Sequence, residues 1–215
     1  MGRRGRIAAV IGGLAVLGAG AVVLADFSQV GRTEPPLVAE AERADRVLVE
    51  KAARRLTLLR EALPILTRGR FLTGAYDEEF GVKDVTWLRP DGGEMSPENW
   101  TQGDARAIAV LLDGRAQASG IHQRGGDATL LLLYNAYHDL VSFTLPESVG
   151  GVGWTRLLDT NLPDSQDVVS KPIGATYEVT GRSMLMFVLK PVENEDEDEE
   201  HSDMERSYQY VMQAL

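Results

Sequence analysis

Between residues 71 and 191 the sequence breaks into short apolar or alternating runs, and this pattern restricts the fold more than any other feature. The runs cover residues 105–112, 129–136, 140–145, 154–159, 175–179 and 183–190. They are separated by residues that favour turns: Asp113-Gly114, Gly125-Gly126-Asp127, Pro146, Gly150-Gly151 and Gly181. Because no helical pattern lies between the runs, a mostly β fold is predicted, with an antiparallel β-sandwich over residues 71–191.

One long amphipathic helix is predicted ahead of the sandwich, in the segment 37–70. Its apolar residues recur at steps of three, four and seven positions, which places them on one face: Val38, Ala41, Leu48, Ala52, Leu56, Leu59 and Leu63. Pro35 and Pro36 precede the pattern, and Pro64 ends it. Such a helix needs a partner surface for its apolar face, and the simplest partner is the next domain of the same chain.

The segment 1–36 begins like a membrane anchor or an export signal. Three arginines within the first six residues precede nineteen uncharged residues, from Ile7 to Ala25. That length is marginal for a hydrocarbon core roughly 30 Å thick at about 1.5 Å of rise per residue. The same order of basic and apolar residues is typical of a secretory signal. An apolar N-terminal helix is therefore predicted; the alternatives are a buried core helix or a wrongly chosen translation start.

The net charge of −10 is concentrated at the C-terminal end of the chain. Residues 193–205 contain nine acidic residues, which leaves 23 acidic and 21 basic residues in 1–192. A nearly neutral folded part argues against a nucleic-acid partner. Because an acidic run repels itself, residues 192–215 are predicted to be a disordered tail. The alternative is a short amphipathic helix, for which apolar residues are present at Met204, Tyr208, Val211, Met212 and Leu215.

Residues that build catalytic and metal sites are scarce. The chain has no Cys and three His, which excludes thiol nucleophiles and thiolate zinc sites and predicts neither a metal site nor a cofactor. The phosphate-binding loop, the GxSxG elbow and the HExxH motif are absent from the sequence. Acidic clusters at residues 77–79 and 91–94 are interpreted as turn chemistry rather than as cation ligands.

An ordered set of motifs begins in the first part of the predicted sandwich. Residues 85–96 (VTWLRPDGGEMS) are followed by Trp100, by residues 106–114 (RAIAVLLDG) and by residues 130–136 (LLLLYNA). This order resembles the C-terminal end of bacterial glycogen debranching enzymes, the isoamylase-type branch of the α-amylase superfamily. Residues 54–72 resemble that family's last barrel helix and the exit from it, so the resemblance covers about residues 45–191.

The resemblance implies a family of α-1,6-glucosidases that hydrolyse branch linkages in glycogen or its limit dextrins. In that family the catalytic carboxylates lie at the ends of barrel strands, and those strands would precede residue 45. Asn135-Ala136-Tyr137-His138-Asp139 resembles a late barrel strand only superficially and is interpreted as a turn. No catalytic residue is therefore assigned, and whether this chain is an enzyme by itself stays open.

Three accounts are open for such a chain. In the first it is the C-terminal sandwich domain of a debranching enzyme, from a truncated or mis-started gene. In the second it is a stand-alone sandwich that binds α-glucan or docks on a separately encoded catalytic barrel. In the third it is a membrane-tethered interaction protein, held through the residues from Ile7 to Ala25. The family implies a cytoplasmic location, whereas the third account implies a membrane-anchored or exported chain.

Glucan binding would use exposed aromatic rings, because sugars stack on ring faces. The three tryptophans, Trp87, Trp100 and Trp154, are the candidates. Each lies on or beside an apolar run, so buried packing is the favoured interpretation for each of them. Trp87 and Trp100 are retained as the candidate carbohydrate-binding residues.

Overall fold

The computed structural model describes residues 36–67, 71–116, 128–162, 165, 167–192 and 199–214, together with two short strands near the N-terminus. The chain divides into two units, Met1–Val47 and Leu48–Leu215. In the first unit, β1 (Val16–Leu17) pairs with β2 (Ala21–Val22) in antiparallel fashion. The rest of the predicted apolar helix lies outside the described residues, so the helix and its signal or anchor role stay predictions. Among the described helices, none is long and apolar enough to cross a membrane.

The other elements belong to the second unit, apart from the first part of helix α1. Helix α1 spans Pro36–Ala62, begins in the first unit and is followed by a single 3-10 turn at Pro64–Thr67. The remaining elements are β3 (Tyr76–Asp77), β4 (Val82–Lys83), β5 (Val85–Leu88), α2 (Pro97–Trp100), β6 (Ala107–Asp113), β7 (Thr129–Asn135), β8 (Val141–Thr144), β9 (Gly151–Asp159), β10 (Ser170–Pro172), β11 (Thr176–Val179), β12 (Ser183–Pro191) and α3 (Glu199–Gln213).

Two sheets form the sandwich. The larger sheet has six strands in the order β10-β9-β12-β7-β6-β5, and the smaller one pairs β11 with β8. Every strand pair in both sheets is antiparallel. The six runs noted in the sequence coincide with β6, β7, β8, β9, β11 and β12 to within three residues at each end. The predicted antiparallel β-sandwich is therefore confirmed.

The large sheet is buried on both faces, and β7 shows why its sequence is almost continuously apolar. Leu130 and Leu132 point into a core that also contains residues of α1 and α3. Leu131 and Leu133 point the other way, into a core shared with Phe143 of β8. Successive side chains of a strand alternate between faces, so a strand covered on both sides needs apolar residues at every position. We call the two sides the helix face and the ribbon face, after what covers them.

Among the side chains of α1 that the structure describes, the buried ones lie at its C-terminal end, on the helix face. Leu59 and Leu63 are fully buried there, and the Arg55 Nε donates a hydrogen bond of 2.9 Å to the carbonyl of Leu157 in β9. One turn earlier on the predicted apolar face, Leu56 is 45% exposed. The helix is confirmed at nearly the predicted bounds, and its Leu56 side chain is open to solvent.

The C-terminal segment differs from the prediction of a disordered tail. Residues Glu199–Gln213 form α3, whose Met204 and Val211 are buried. The Tyr208 hydroxyl lies 3.0 Å from Thr155 Oγ1 of β9. The prediction of disorder was wrong for these residues, because Val211 packs into the core of the helix face and Met204 into that of the ribbon face. This burial outweighs the charge repulsion among the acidic side chains.

Candidate functional site

The three tryptophans occupy two different environments. Trp154 is fully buried in the core of the ribbon face, and its indole Nε1 donates a 2.9 Å hydrogen bond to the carbonyl of Pro146. Its role is packing, as favoured from the sequence. Trp87 and Trp100 are 42% and 54% exposed, so the interpretation of buried packing was wrong for these two residues.

The structure brings Trp87 and Trp100 together as a pair at the edge of the large sheet. Their ring centroids are 5.5 Å apart and the ring planes make an angle of 77°. This is the edge-to-face arrangement that aromatic quadrupoles favour. An edge-to-face contact covers at most one face of one of the two rings. The pair therefore combines a fixed geometry with exposed aromatic surface, which is the property required of a sugar-stacking platform.

The local sequence explains how the two rings meet. Trp87 lies on β5, the edge strand, two positions after the buried Val85 and on the same face. Trp100 ends the short helix α2, which Ser96 caps by accepting a hydrogen bond from the Asn99 backbone while the Asn99 side chain accepts one from Ser96. This reciprocal capping box fixes the start of the helix.

A tight turn returns the chain from β5 to α2. The carbonyl of Arg89 accepts a 3.0 Å hydrogen bond from Gly92, whose φ of 86° suits a residue without a Cβ. The Asp91 carboxylate accepts hydrogen bonds from the Arg89 guanidinium and from the backbone of Gly93, both at 3.0 Å. These contacts, the Arg89 bond first, lower the pKa of Asp91. The Asp91 carboxylate therefore stabilises the turn, which agrees with the interpretation of this acidic cluster as turn chemistry.

The register of the strands places Trp87 on the helix face. Trp87 lies opposite Val110, which belongs to the core beneath α1 and α3. Tyr134, on the same face in the next row of residues, is 37% exposed, and desolvation raises its pKa. The helix face is thus covered beside Val85 and open toward Trp87 and Tyr134.

The Asn135 to Asp139 stretch is structural. The Asn135 side-chain amide donates to the carbonyls of Asp139, Val179 and Thr180 at 2.9 to 3.1 Å, and its oxygen accepts from the backbone of Tyr137. The amide group and the carbonyl oxygen of this side chain are both engaged in hydrogen bonds. These bonds connect the end of β7 to the turn and to the end of β11. The interpretation of this stretch as a turn is consistent with these contacts.

The buried acids of the described residues are also engaged in structure. The Asp84 carboxylate accepts hydrogen bonds from the backbone amides of Thr73 and Gly74, at 3.0 and 2.8 Å. The Asp113 carboxylate forms a 2.7 Å ion pair with Arg115, and both side chains are 2% exposed. Retaining glycosidases need two carboxyl groups about 5 Å apart across a substrate cleft. Neither buried acid is placed for that chemistry, and no catalytic residue is assigned from them.

Comparisons with known proteins agree with the motifs. Residues 84–188 match the family model "Isoamylase, C-terminal". A glycogen operon protein GlgX homolog of Mycobacterium tuberculosis is 36% identical over 143 residues, which are 63% of this chain and 19% of that protein. An isoamylase of Pseudomonas amyloderamosa is 26% identical over 148 residues, covering 64% of this chain and 17% of the enzyme.

A plant protein adds to the same pattern. Isoamylase 3, chloroplastic, of Oryza sativa subsp. japonica is 27% identical over 135 residues, 61% of this chain and 14% of that protein. The chain thus spans less than a fifth of the length of each of these relatives. The relatives lend no support to a membrane-tethered or stand-alone interaction protein. The match of residues 84–188 to the isoamylase C-terminal model, together with these relatives, confirms the resemblance to isoamylase-type debranching enzymes.

Proposed function

We propose that this chain supplies the C-terminal sandwich of an α-1,6-glucan debranching hydrolase and does not carry the catalytic step itself. The observation that supports this proposal most strongly is the match of residues 84–188 to the isoamylase C-terminal family. The buried acids Asp84 and Asp113 serve the fold, so the reaction needs carboxylates from another body. The substrate class is glycogen or a limit dextrin, the reaction is hydrolysis of branch linkages, and the location is the cytoplasm.

Helix α1 supports the presence of such a body. Its side chains at Val49 and Leu56, which lie seven positions apart on one face, are 67% and 45% exposed. An apolar surface of this kind is typical of an interface. The motif resemblance of α1 to a last barrel helix indicates a (β/α)8 barrel as the partner. The barrel either belongs to the same polypeptide or is encoded separately.

The native mass tests this assignment. An antibody against residues 71–191 is used to recover the protein from its source cells under native conditions. We expect a species several times heavier than 23.5 kDa that releases reducing ends from glycogen limit dextrin. A denaturing gel of the same sample then separates a single long chain from a complex of two chains. A native species of 23.5 kDa without hydrolytic activity would contradict the proposal.

We further propose that Trp87 and Trp100 contact the glucan. The observation that favours it is the exposed edge-to-face pair with centroids 5.5 Å apart. Pyranose rings present C–H faces that pack on aromatic faces, and a preformed pair loses little conformational freedom on binding. The same residues were singled out from the sequence as the candidate carbohydrate-binding site.

Affinity electrophoresis in glycogen-containing gels tests the platform. We expect Trp87→Ala and Trp100→Ala each to weaken glycogen binding roughly tenfold, because each removes one stacking ring. Phe71→Ala is the matched control, since Phe71 is an exposed aromatic residue (95%) outside the pair. Circular dichroism checks folding, and folded variants that still bind glycogen like the wild-type chain would refute this use of the two rings.

A further inference from the structure

A groove of about 550 Å³ lies beside the segment that carries the motifs. Its volume falls within the roughly 300 to 1,000 Å³ that small-ligand sites occupy. Its walls come from the β5–β6 connection, the start of β6, and the turn and strand that follow β7. The lining residues are Arg89, Pro90, Met95, Asn99, Gln102, Asp104, Ala105, Arg106, Ala107, Tyr137 and Val141.

The groove and Trp87 lie on opposite faces of the large sheet. Ala107 and Val141, which line the groove, pack against the core of the ribbon face. Trp87 lies opposite Val110, which belongs to the core of the helix face. Neighbouring residues of a strand pair share one face. A ligand in the groove therefore uses contacts that are separate from the tryptophan platform.

The lining combines an apolar floor with planar polar groups. Ala107, Val141 and Pro90 supply apolar surface, and the Arg106 guanidinium lies 5.3 Å from the centre of the Tyr137 ring. Within the described part of the chain, the Arg106 side chain makes no ion pair or hydrogen bond. Its five N–H donors are thus available to a ligand, together with the amide of Gln102.

Around the groove, each of the two arginine side chains has an aspartate side chain nearby. The positive charge of Arg89 is matched by Asp91, with an ion-pair distance of 3.0 Å. The charge of Arg106 is accompanied by that of Asp104 on the same rim. A balanced set of guanidinium, carboxylate and amide groups over an apolar floor suits a neutral ligand rich in hydroxyls better than an anion, since an anion would meet the carboxylates.

From these contacts we infer that the groove binds a short linear segment of α-1,4-linked glucan, as a second contact point on the same polysaccharide. The inference deepens the glucan-binding function proposed above and rests on it for the choice of sugar. Arg106 and Gln102 bind hydroxyl groups, Tyr137 orients the Arg106 guanidinium and adds aromatic surface, and Ala107 and Val141 contact the C–H face of a glucose unit. Two sites on opposite faces hold one branched polymer more firmly than either site alone.

The test is a titration of the full 215-residue chain with maltoheptaose, followed by backbone amide NMR signals. We expect saturable shifts at Ala107 and Tyr137. Arg106→Ala should weaken this binding about tenfold, because it removes a charged hydrogen-bond donor. Gln102→Ala serves as a second variant and should act in the same direction. Arg60→Ala, an exposed arginine of α1, is the control and should leave the binding unchanged.

The possible outcomes separate this inference from the tryptophan platform. If the groove signals stay unchanged while Trp87→Ala still abolishes glycogen binding, the groove site is wrong and the platform stands. If the groove signals shift and glycogen binding survives both tryptophan substitutions, the groove stands and the platform is wrong. Shifts with inorganic phosphate alone would identify an anion site, and equal shifts with cellohexaose would overturn the choice of an α-glucan. Absence of any response to maltoheptaose, with no glycogen binding, overturns both.

Discussion

The helices α1 and α3 are both amphipathic, yet they bury their apolar residues to very different extents. In α3, Met204 and Val211 are 4% and 0% exposed along the length of the helix. Among the described side chains of α1, Leu59 and Ala62 are buried, whereas Leu56 is 45% exposed. The difference shows that helical periodicity predicts an apolar face but does not predict which part of the protein, or which partner, buries that face.

The two helices differ in burial because they contact different parts of the sandwich. Helix α3 meets β12 and β9 of its own sandwich, and its Tyr208 hydroxyl lies near that of Thr155. Helix α1 meets the helix face through Leu59 and through the hydrogen bond from Arg55 to the carbonyl of Leu157. Apolar surface that this sandwich does not reach is available to another body. The comparison therefore supports the proposed barrel more directly than α1 does alone.

The largest expected effect concerns two neighbouring leucines of α1, one buried and one exposed. Leu59→Ala should destabilise the fold by about 2 to 5 kcal/mol, because it leaves a cavity at a fully buried position. Leu56→Ala changes the same side chain one turn earlier and should cost less than about 1 kcal/mol, since Leu56 is half in water. Urea unfolding of the two variants measures the difference. Equal losses of stability would mean that Leu56 is as well covered as Leu59.

A smaller effect is expected in α3. Val211→Ala should cost roughly 2 kcal/mol, because it removes two methyl groups from the core of the helix face. Val168→Ala is the matched control at a position that is 68% exposed, and should remain within about 0.5 kcal/mol of the wild-type chain. If the two substitutions have the same effect in thermal unfolding, α3 does not pack on the sandwich in solution.

The smallest expected effect is at the open end of the helix face. Desolvation raises the pKa of Tyr134 above its ordinary value of 10.0. A group whose pKa is raised by folding adds stability below its unfolded pKa and loses it as the pH rises through the folded value. The wild-type chain should therefore lose slightly more stability above pH 10 than Tyr134→Phe does. Ultraviolet titration of both chains identifies the tyrosine, and a midpoint at or below 10.0 would contradict the partial burial.

Much of the fold could be predicted from the residues alone because the strands are short, apolar and bounded by turn residues. The Leu-rich run of β7 and the run of β12 lie within one residue of their predicted ends. The shorter strand β10 (Ser170–Pro172) was missed, since its three residues are exposed and carry no apolar alternation. Pairing with β9 holds it in place, and pairing partners are not visible in a local pattern.

The candidate site was predictable only in part. Trp87 and Trp100 could be chosen as aromatic residues near the family motifs. Their exposure as a pair could not be predicted, because they lie thirteen positions apart in the chain. The turn at Gly92 and the capping box of Ser96 bring them together. The groove gave no local signal, since Arg106 and Tyr137 come from different strand ends and meet only in the folded sheet.

By itself the sequence determined the class of fold, the positions of six strands, the helix before them and the family, since each depends on local periodicity or on an ordered motif. The tertiary structure alone decided which tryptophans are exposed, that residues Glu199–Gln213 fold into α3, and that Leu56 of α1 is exposed while Leu59 is buried. Those outcomes depend on which surfaces meet across distant parts of the chain. Burial is a property of the packed surfaces, and a local pattern carries only the requirement for it.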